Sequence, residues 1–231
     1  IKQLLHSAQT LPLEVVLEDE TWWSVRYDER AISPEKAREL IGQGWAAADL
    51  HVHSWGSFDV LPIEETSPFT MYEKAMAKGF RFVTFTDHDS MDVYDRIGWT
   101  RENLVTGVEI KVLDPGRVGH TLHINVYELD RSQFEELEKI ALKDRNIETF
   151  INYIKDNDLP YIYNHPFWHE PDEKPSIKSI LDVAELFPVI EYNMGRVSTL
   201  NRQAMMLAER YAAGITASTD THIGEIGRAF T

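Results

Sequence analysis

The chain has 231 residues, a formal net charge of −15, 43% hydrophobic residues and no cysteine. That length and apolar content suffice for one sizeable core, and the acidic balance argues against binding to duplex nucleic acid or an anionic membrane. Without cysteine there are no disulfides or thiolate ligands, so a metal site must use His, Asp and Glu, which suit Zn, Mn or Fe. No apolar run is long enough for a membrane span, and the start "IKQLLHSAQTLPLEVV" lacks the order of a signal peptide, so we expect a cytoplasmic location.

Residues 1–43 are predicted to form an N-terminal appendage to a main domain at 44–231. The segment "LEVVLEDETWWSVRYDE" suggests two short strands around the polar "EDET". The segment "SPEKARELIGQG" predicts a helix with Ser33 as its N-cap, Pro34 at its first position and Gly42 near its end.

From residue 44 onward, strand-like and helix-like patterns alternate. The strand-like runs are "WAAADL", "FRFVTF", "LVTGVEI", "LHINVYEL", "LPYIYN", "PVIEYN" and "GITAST". The helical patterns are "FTMYEKAMAKG", "SQFEELEKIAL", "NIETFINYIKDN", "IKSILDVAEL" and "NRQAMMLAERYAAG". This alternation predicts an α/β fold with a parallel sheet, either a barrel related to the (β/α)8 form or, as the alternative, a doubly wound open sheet.

Polar side chains follow most of these runs at the strand ends. His51 and His53 follow the first run and point to one face, because side chains alternate along a strand. The other positions are His88 within "TDHD", Glu109 at the end of "LVTGVE", His165 in "NHP", Glu191 and Asn193 ending "PVIEYN", and Asp220 and His222 after "GITAST". In parallel α/β folds these ends converge on one face, so the residues are expected to share a pocket. His123 lies within its run rather than at a strand end, and we assign it to the pocket because its side chain could reach the other ligands.

Each fragment alone has an ordinary explanation, such as a helix cap or a rigid turn before proline. Together, six histidines and three acids would leave a large unpaired charge unless a cation lay among them. His120 is expected either to contact the substrate or to support a metal ligand from behind. His169, in the polar loop "WHEPDEKP", is expected to be solvated.

The ordered motifs "DLHVHS", "TDHD", "GVEI", "NHP" and "STDTH", with a histidine before an apolar strand, resemble the PHP (polymerase and histidinol phosphatase) superfamily of metal-dependent phosphoesterases. The resemblance covers roughly residues 45–222. It implies a distorted (β/α)7 TIM-like barrel and three metal ions, and we expect two to three divalent ions.

The resemblance also implies a set of ligands for each ion. One metal would be bound by His51, His53, Glu109 and Asp220. A second would share Glu109 and add His123 and His165. The third would use Asp59, His88 and His222. Asp87 and Asp89 would orient histidines from behind.

The expected activity is hydrolysis of a small phosphate ester, nucleotide-like or sugar-like, by a metal-activated water. The residues assigned to catalysis are His51, His53, Glu109, Asp220 and His222, and those assigned to substrate binding are Arg117, His120, Arg196 and Arg228. Two alternatives stay open: an amidohydrolase-like hydrolase, which would need a bridging lysine at a strand end, and a non-catalytic metal-binding regulatory domain. The sequence leaves the oligomeric state open.

Overall fold

The structure is a computed structural model that describes residues 32–231, and it has a mixed α/β fold. Its helices are α1 Pro34–Gly42, α2 Pro68–Ala77, α3 Asp92–Ile97, α4 Arg131–Lys139, α5 Ile147–Asp156, α6 Ile177–Ala184 and α7 Ser198–Arg210. Its strands are β1 Gly107–Leu113, β2 Thr121–Tyr127, β3 Tyr161–Tyr163, β4 Val189–Asn193 and β5 Gly214–Ser218. A 3-10 helix at Glu64–Thr66 and a π-helical turn at Ile140–Asp144 complete the elements.

The sheet has the order β1-β2-β3-β4-β5, and its two halves differ in direction. The pairs β1–β2 and β2–β3 are antiparallel, whereas β3–β4 and β4–β5 are parallel. The prediction of a parallel sheet is therefore wrong for the first half. The reason is that only residues 114–120 separate β1 from β2, and so short a connection favours an antiparallel pair.

The predicted distorted (β/α)7 TIM-like barrel is not confirmed either, because the sheet that residues 32–231 form has five strands and is not closed. The first two predicted strands, "WAAADL" and "FRFVTF", are extended segments outside the sheet. Isolated bridges hold them in place: Val83 pairs with Leu104, and just after the two runs Val52 pairs with Thr221 and His88 with Glu109. Of these partners, Glu109 alone belongs to a strand of the sheet. Most of their apolar side chains are buried as predicted, with Trp45 exposed, but too few backbone hydrogen bonds form for a continuous ladder.

The five helical patterns predicted for the main domain are confirmed as α2 and α4 to α7. In α5, for example, Ile147, Phe150, Ile151 and Ile154 are buried at helical spacing. Helix α1 has Ser33 as its N-cap, with the side chain accepting a hydrogen bond from the Lys36 backbone N–H. The short helix α3 was not predicted from the sequence.

The predicted strands of the N-terminal appendage lie outside the described residues. Helix α1, by contrast, lies within them and packs on the main core through Ile41. Across residues 32–231, no helix combines the length and apolarity needed to cross a bilayer.

Candidate metal centre

All nine predicted metal ligands lie in one cluster at one side of the sheet. Contacts between carboxylate oxygens and imidazole nitrogens link them in pairs at 2.8–3.7 Å. The nine are His51, His53, Asp59, His88, Glu109, His123, His165, Asp220 and His222. The structure therefore brings together residues spread over more than 170 positions of the chain.

The backbone bridges outside the sheet align the segments that carry these residues. The backbone N–H of Asp220 donates to the His51 carbonyl at 2.9 Å, and that of His53 donates to the Thr221 carbonyl at 3.1 Å. The Asp89 backbone N–H donates to the carbonyl of Glu109 at 2.8 Å. Glu109 itself is the third residue of β1, so the expectation that it ends its strand is wrong.

Four of these side chains form a compact cage of donor atoms. The Nε2 atoms of His51 and His53 are 3.0 Å apart. Glu109 Oε2 lies 3.3 and 3.4 Å from them, and Asp220 Oδ1 lies 3.3 and 3.1 Å from them. Tetrahedral ligands about 2.1 Å from a central ion lie about 3.4 Å from one another. The two carboxylate oxygens are buried without a hydrogen-bond partner, so the four residues fit a divalent cation.

The second oxygen of Glu109 faces a different pair of histidines. Glu109 Oε1 lies 3.1 Å from His123 Nδ1 and 3.4 Å from His165 Nε2. It also accepts a hydrogen bond from the side-chain amide of Asn164 at 2.8 Å. Because each oxygen of one carboxylate faces its own group of imidazoles, Glu109 has the geometry of a bridge between two cations.

The third predicted group surrounds Asp59. Its Oδ2 lies 3.5 Å from His88 Nε2 and 3.3 Å from His222 Nε2. His88 is not confined to this group, because its Nδ1 lies 2.8 Å from Glu109 Oε2 and is buried without a hydrogen-bond partner. His88 therefore connects the group around Asp59 with the group around Glu109. The described donors form overlapping triads rather than three separate sets.

Glu191 lies behind His51. The sequence places it among the residues expected in the pocket but gives it no role there. Its Oε1 lies 2.7 Å from His51 Nδ1, and its Oε2 accepts hydrogen bonds at 3.0 Å from the His165 backbone N–H and the Asn193 amide. It also accepts a hydrogen bond from the Ser218 hydroxyl. With Nδ1 donating to Glu191, His51 presents the lone pair of Nε2 to the cage.

A hydrogen-bonded chain orients His53 from the other side. His53 Nδ1 lies 2.9 Å from the Ser57 hydroxyl, which donates to Asp87 at 3.2 Å. Asp87 also accepts from the Ser54 backbone and hydroxyl at 2.5 and 2.8 Å. Asp87, predicted to orient a histidine, thus contacts His53 through the Ser57 hydroxyl. Asp89 differs, because its carboxylate accepts from the Lys111 backbone N–H at 3.0 Å.

Burial and mutual charge both act on the ionisable groups of the cage. Burial would raise the pKa of Glu109, but His51, His123 and His88 hold it well below its usual range. The pKa of Asp220 is likewise depressed, against burial, by His51 and His53. Burial lowers the pKa of His53 to about 4. Ionised carboxylates beside a neutral imidazole are a donor set for a borderline divalent cation.

The backbone of the cluster is strained at three positions. Asp89, His165 and Asp220 have φ values of 47°, 26° and 51°, in the left-handed region that residues with a Cβ rarely adopt. Such conformations cost about 1–3 kcal/mol each and concentrate at functional sites.

Two of the four predicted substrate-binding residues lie beside the cluster. Arg196 contacts Asp220 Oδ2 through its Nη2 at 2.9 Å, and its guanidinium lies 4.5 Å from the centre of the Trp168 ring. Arg196 and Arg228 line a cleft of about 390 Å³ that also borders Asp220 and His222. Arg228 pairs there with Glu225.

The other two predicted substrate-binding residues are placed differently. Arg117 pairs with Glu148 on α5 and with Glu185, which follows α6. Its contacts are not with the histidine cluster. His120 is buried near Glu173, with its Nδ1 3.3 Å from the Val118 carbonyl. His169 is exposed, as predicted.

No protein-family model matches the chain, and no curated protein matches its sequence. Among solved structures, the chain is similar to a candidate metal-dependent phosphoesterase from Bifidobacterium adolescentis, with a TM-score of 0.56 and 15% identity over 80% of this chain and 92% of that one. It is similar to PsfC from Pseudomonas syringae, with a TM-score of 0.55 and 14% identity over 79% of both chains. An amidohydrolase from Chromobacterium violaceum gives a TM-score of 0.49 and 15% identity over 80% of this chain and 90% of that one. At these identities the likeness is one of fold: the chain shares the fold of the first two proteins.

Proposed function

We propose that the chain is a metal-dependent hydrolase, and within that class a phosphoesterase of the PHP type that acts on a small phosphate ester. The observation that carries this proposal is the cage around Glu109 Oε2 and Asp220 Oδ1, two buried anionic oxygens without hydrogen-bond partners among imidazole nitrogens. The shared fold with the candidate phosphoesterase from Bifidobacterium adolescentis supports the choice of phosphate esters.

The chain would hold two to three divalent ions of Zn, Mn or Fe. His51, His53, Glu109 and Asp220 would bind the first, and Glu109 with His123 and His165 the second. Asp59, His88 and His222 would bind the third. Bound there, divalent ions lower the pKa of a water to near neutrality and offset the charge that develops on a phosphoryl group.

The remaining side chains would prepare the site for that chemistry. Glu191 and Ser57 fix the rings of His51 and His53, so that the Nε2 atoms face the cage. The Trp168 ring packs edge-on against His123 and His165, with its centre 5.1 and 5.3 Å from the centres of their rings. Arg196 and Arg228 would orient an anionic group, because guanidinium makes paired hydrogen bonds to phosphate.

The amidohydrolase alternative differs in the residue at the bridging position. A bridging lysine would have to be carbamylated and to present the two carbamate oxygens to the metals, whereas here the two oxygens of Glu109 face the imidazoles. This observation favours the phosphoesterase. The non-catalytic alternative predicts bound metal without hydrolysis.

A panel of substrates tests the proposal. Protein loaded with Mn, Zn or Fe should release phosphate from nucleotide-like or sugar-like monoesters, and chelator should abolish the release. The panel should include lactams and N-acyl amides. Hydrolysis of those alone would favour the amidohydrolase alternative, and bound metal without any hydrolysis would favour the regulatory domain.

A further inference from the structure

We propose that Lys111 binds an anionic oxygen of the substrate, and that the carboxylate of Glu170 competes for this same position. The inference rests on the proposed function, since it assigns a further anion-binding residue to that site. Lys111 and Glu170 lie outside the nine predicted ligands and outside the arginine-lined cleft.

Lys111 is directed to the cluster by its place in β1. It follows Glu109 by two residues, so the two side chains lie on the same face of the strand. It stands directly opposite His123 in the ladder of β1 and β2. Its side chain is 26% exposed, so its ammonium group is within reach of a ligand that enters from solvent.

The ammonium group of Lys111 lies near an aromatic ring that also packs beside the cluster. Lys111 Nζ lies 5.3 Å from the centre of the Phe58 ring, and Phe58 is exposed. The same ring lies 5.5 Å from that of His88. Lys111 therefore carries a positive charge beside an accessible aromatic wall and close to two imidazoles.

Glu170 places one carboxylate oxygen between this ammonium group and the imidazoles. Its Oε1 lies 3.1 Å from Lys111 Nζ and 3.7 Å from His123 Nε2. The Nε2 atom is buried and has no hydrogen-bond partner. The oxygen thus occupies a position that favours an anion from both sides, and the Glu170 side chain is itself 31% exposed.

The segment that carries Glu170 has other anchors. Trp168 packs against His123 and His165 on one side of Glu170. On the other side, Glu173 accepts hydrogen bonds from the backbone N–H and hydroxyl of Thr121 at 2.9 and 2.6 Å. Glu170 can therefore leave Lys111 without release of the segment.

A phosphate group is the better occupant of this position. It carries about two negative charges and three acceptor oxygens at neutral pH, against one charge on a carboxylate. The partly exposed pair between Lys111 and Glu170 is of the kind that contributes little by itself. Glu170 is tethered, however, and competes at an effective concentration in the millimolar range. Its removal should strengthen phosphate binding, whereas removal of Lys111 should weaken it.

The test uses the full chain loaded with Mn, and calorimetric titration with inorganic phosphate. We expect Lys111→Met to raise the Kd for phosphate about tenfold, and Glu170→Gln to lower it about threefold, as for loss of a tethered competitor. Lys111→Arg should restore binding to near the wild-type value. The matched controls are Lys174→Met and Asp172→Asn, which remove the same charges from exposed positions near Glu170 and should leave the Kd within about twofold.

If the ion pair only fastened the Glu170 segment to β1, loss of either partner would shift the Kd for phosphate in the same direction. That result would overturn the inference, as would a wild-type protein that binds no phosphate. Loss of bound Mn from Glu170→Gln would also overturn it, since Glu170 would then be a ligand. If the wild type hydrolyses phosphate esters but the Kd values of both variants shift in the same direction, this inference is wrong and the proposed function stands. Opposite shifts without hydrolysis of any ester would contradict the proposed function alone.

Discussion

His51 Nδ1 lies 2.7 Å from Glu191 Oε1, and both side chains are buried. A histidine that donates one ring N–H to a carboxylate has its ring orientation and tautomer fixed, and its other nitrogen becomes a stronger ligand. Glu191 connects His51 to β4, and through Ser218 to the last residue of β5. The orientation of the first imidazole of the cluster therefore depends on the parallel half of the sheet.

Glu191→Gln should weaken metal binding without loss of the fold. The glutamine side chain keeps the shape but removes the charge that supports His51, so we expect an affinity loss of about 10- to 100-fold. Competition with a coloured chelator measures it. Glu148→Gln, at an exposed position of α5, is the matched control and should retain wild-type affinity. Equal affinities of Glu191→Gln and the wild type would remove Glu191 from the site.

Glu109→Gln should lose more metal than His88→Ala. Glu109 faces both histidine groups, so the loss of its charge affects two cations, whereas His88 supplies only imidazole nitrogens to one edge of the cluster. Elemental analysis of wild type purified without chelator should find two to three equivalents per chain. Circular dichroism checks the fold of both variants. Full metal content and full activity in Glu109→Gln would show that Glu109 is not a bridge.

Metal removal should lower the thermal stability of the protein. Buried anionic oxygens such as Glu109 Oε2 and Asp220 Oδ1 have no hydrogen-bond partner, and a cation that binds only the folded state stabilises it. At a free metal concentration of 100 times the Kd, this stabilisation is about 2.7 kcal/mol. Thermal unfolding with chelator, and then with Mn or Zn restored, measures the shift in Tm. An unchanged Tm across these conditions would argue against a metal in the cage.

Gly56→Ala should disturb His53 through the residues behind it. A Cβ at Gly56 would lie 2.2 Å from Asp87 Oδ2, so the carboxylate that accepts from Ser57 must move. We expect a loss of about 1–3 kcal/mol in the free energy of unfolding and a lower metal affinity. Gly42→Ala is the control, because nothing lies within 4 Å of its Cβ position. Equal unfolding curves for the wild type and Gly56→Ala would contradict this account.

The spacing of residues in the sequence was sufficient to predict that histidines and acids lie together, because local strand and helix patterns fix their positions. His51 and His53 alternate after an apolar run, and the pattern of that run shows the face that they share. The helical patterns from α4 to α7 were equally legible, since each has a buried stripe at helical spacing. The α/β class and the list of nine clustered side chains follow from these local rules and from the resemblance.

Other features depend on contacts between distant segments, which no local pattern contains. The sequence alone could not show that β1 and β2 pair in an antiparallel direction, or that the segments of His51 and His88 form isolated bridges in place of strands. Backbone pairing is decided by which segments meet, not by the side-chain pattern of one of them.

For the same reason, the ligands could be predicted from the sequence, whereas the residues that support them could not. The sequence determined that histidines and acids would be clustered, but only the tertiary structure decided that Glu191 would lie behind His51 and that Glu170 would lie between Lys111 and His123. It likewise paired Arg117 with acidic residues of α5 and of the segment after α6. A charged side chain takes the partners that packing brings near it, and these lie far away in the sequence.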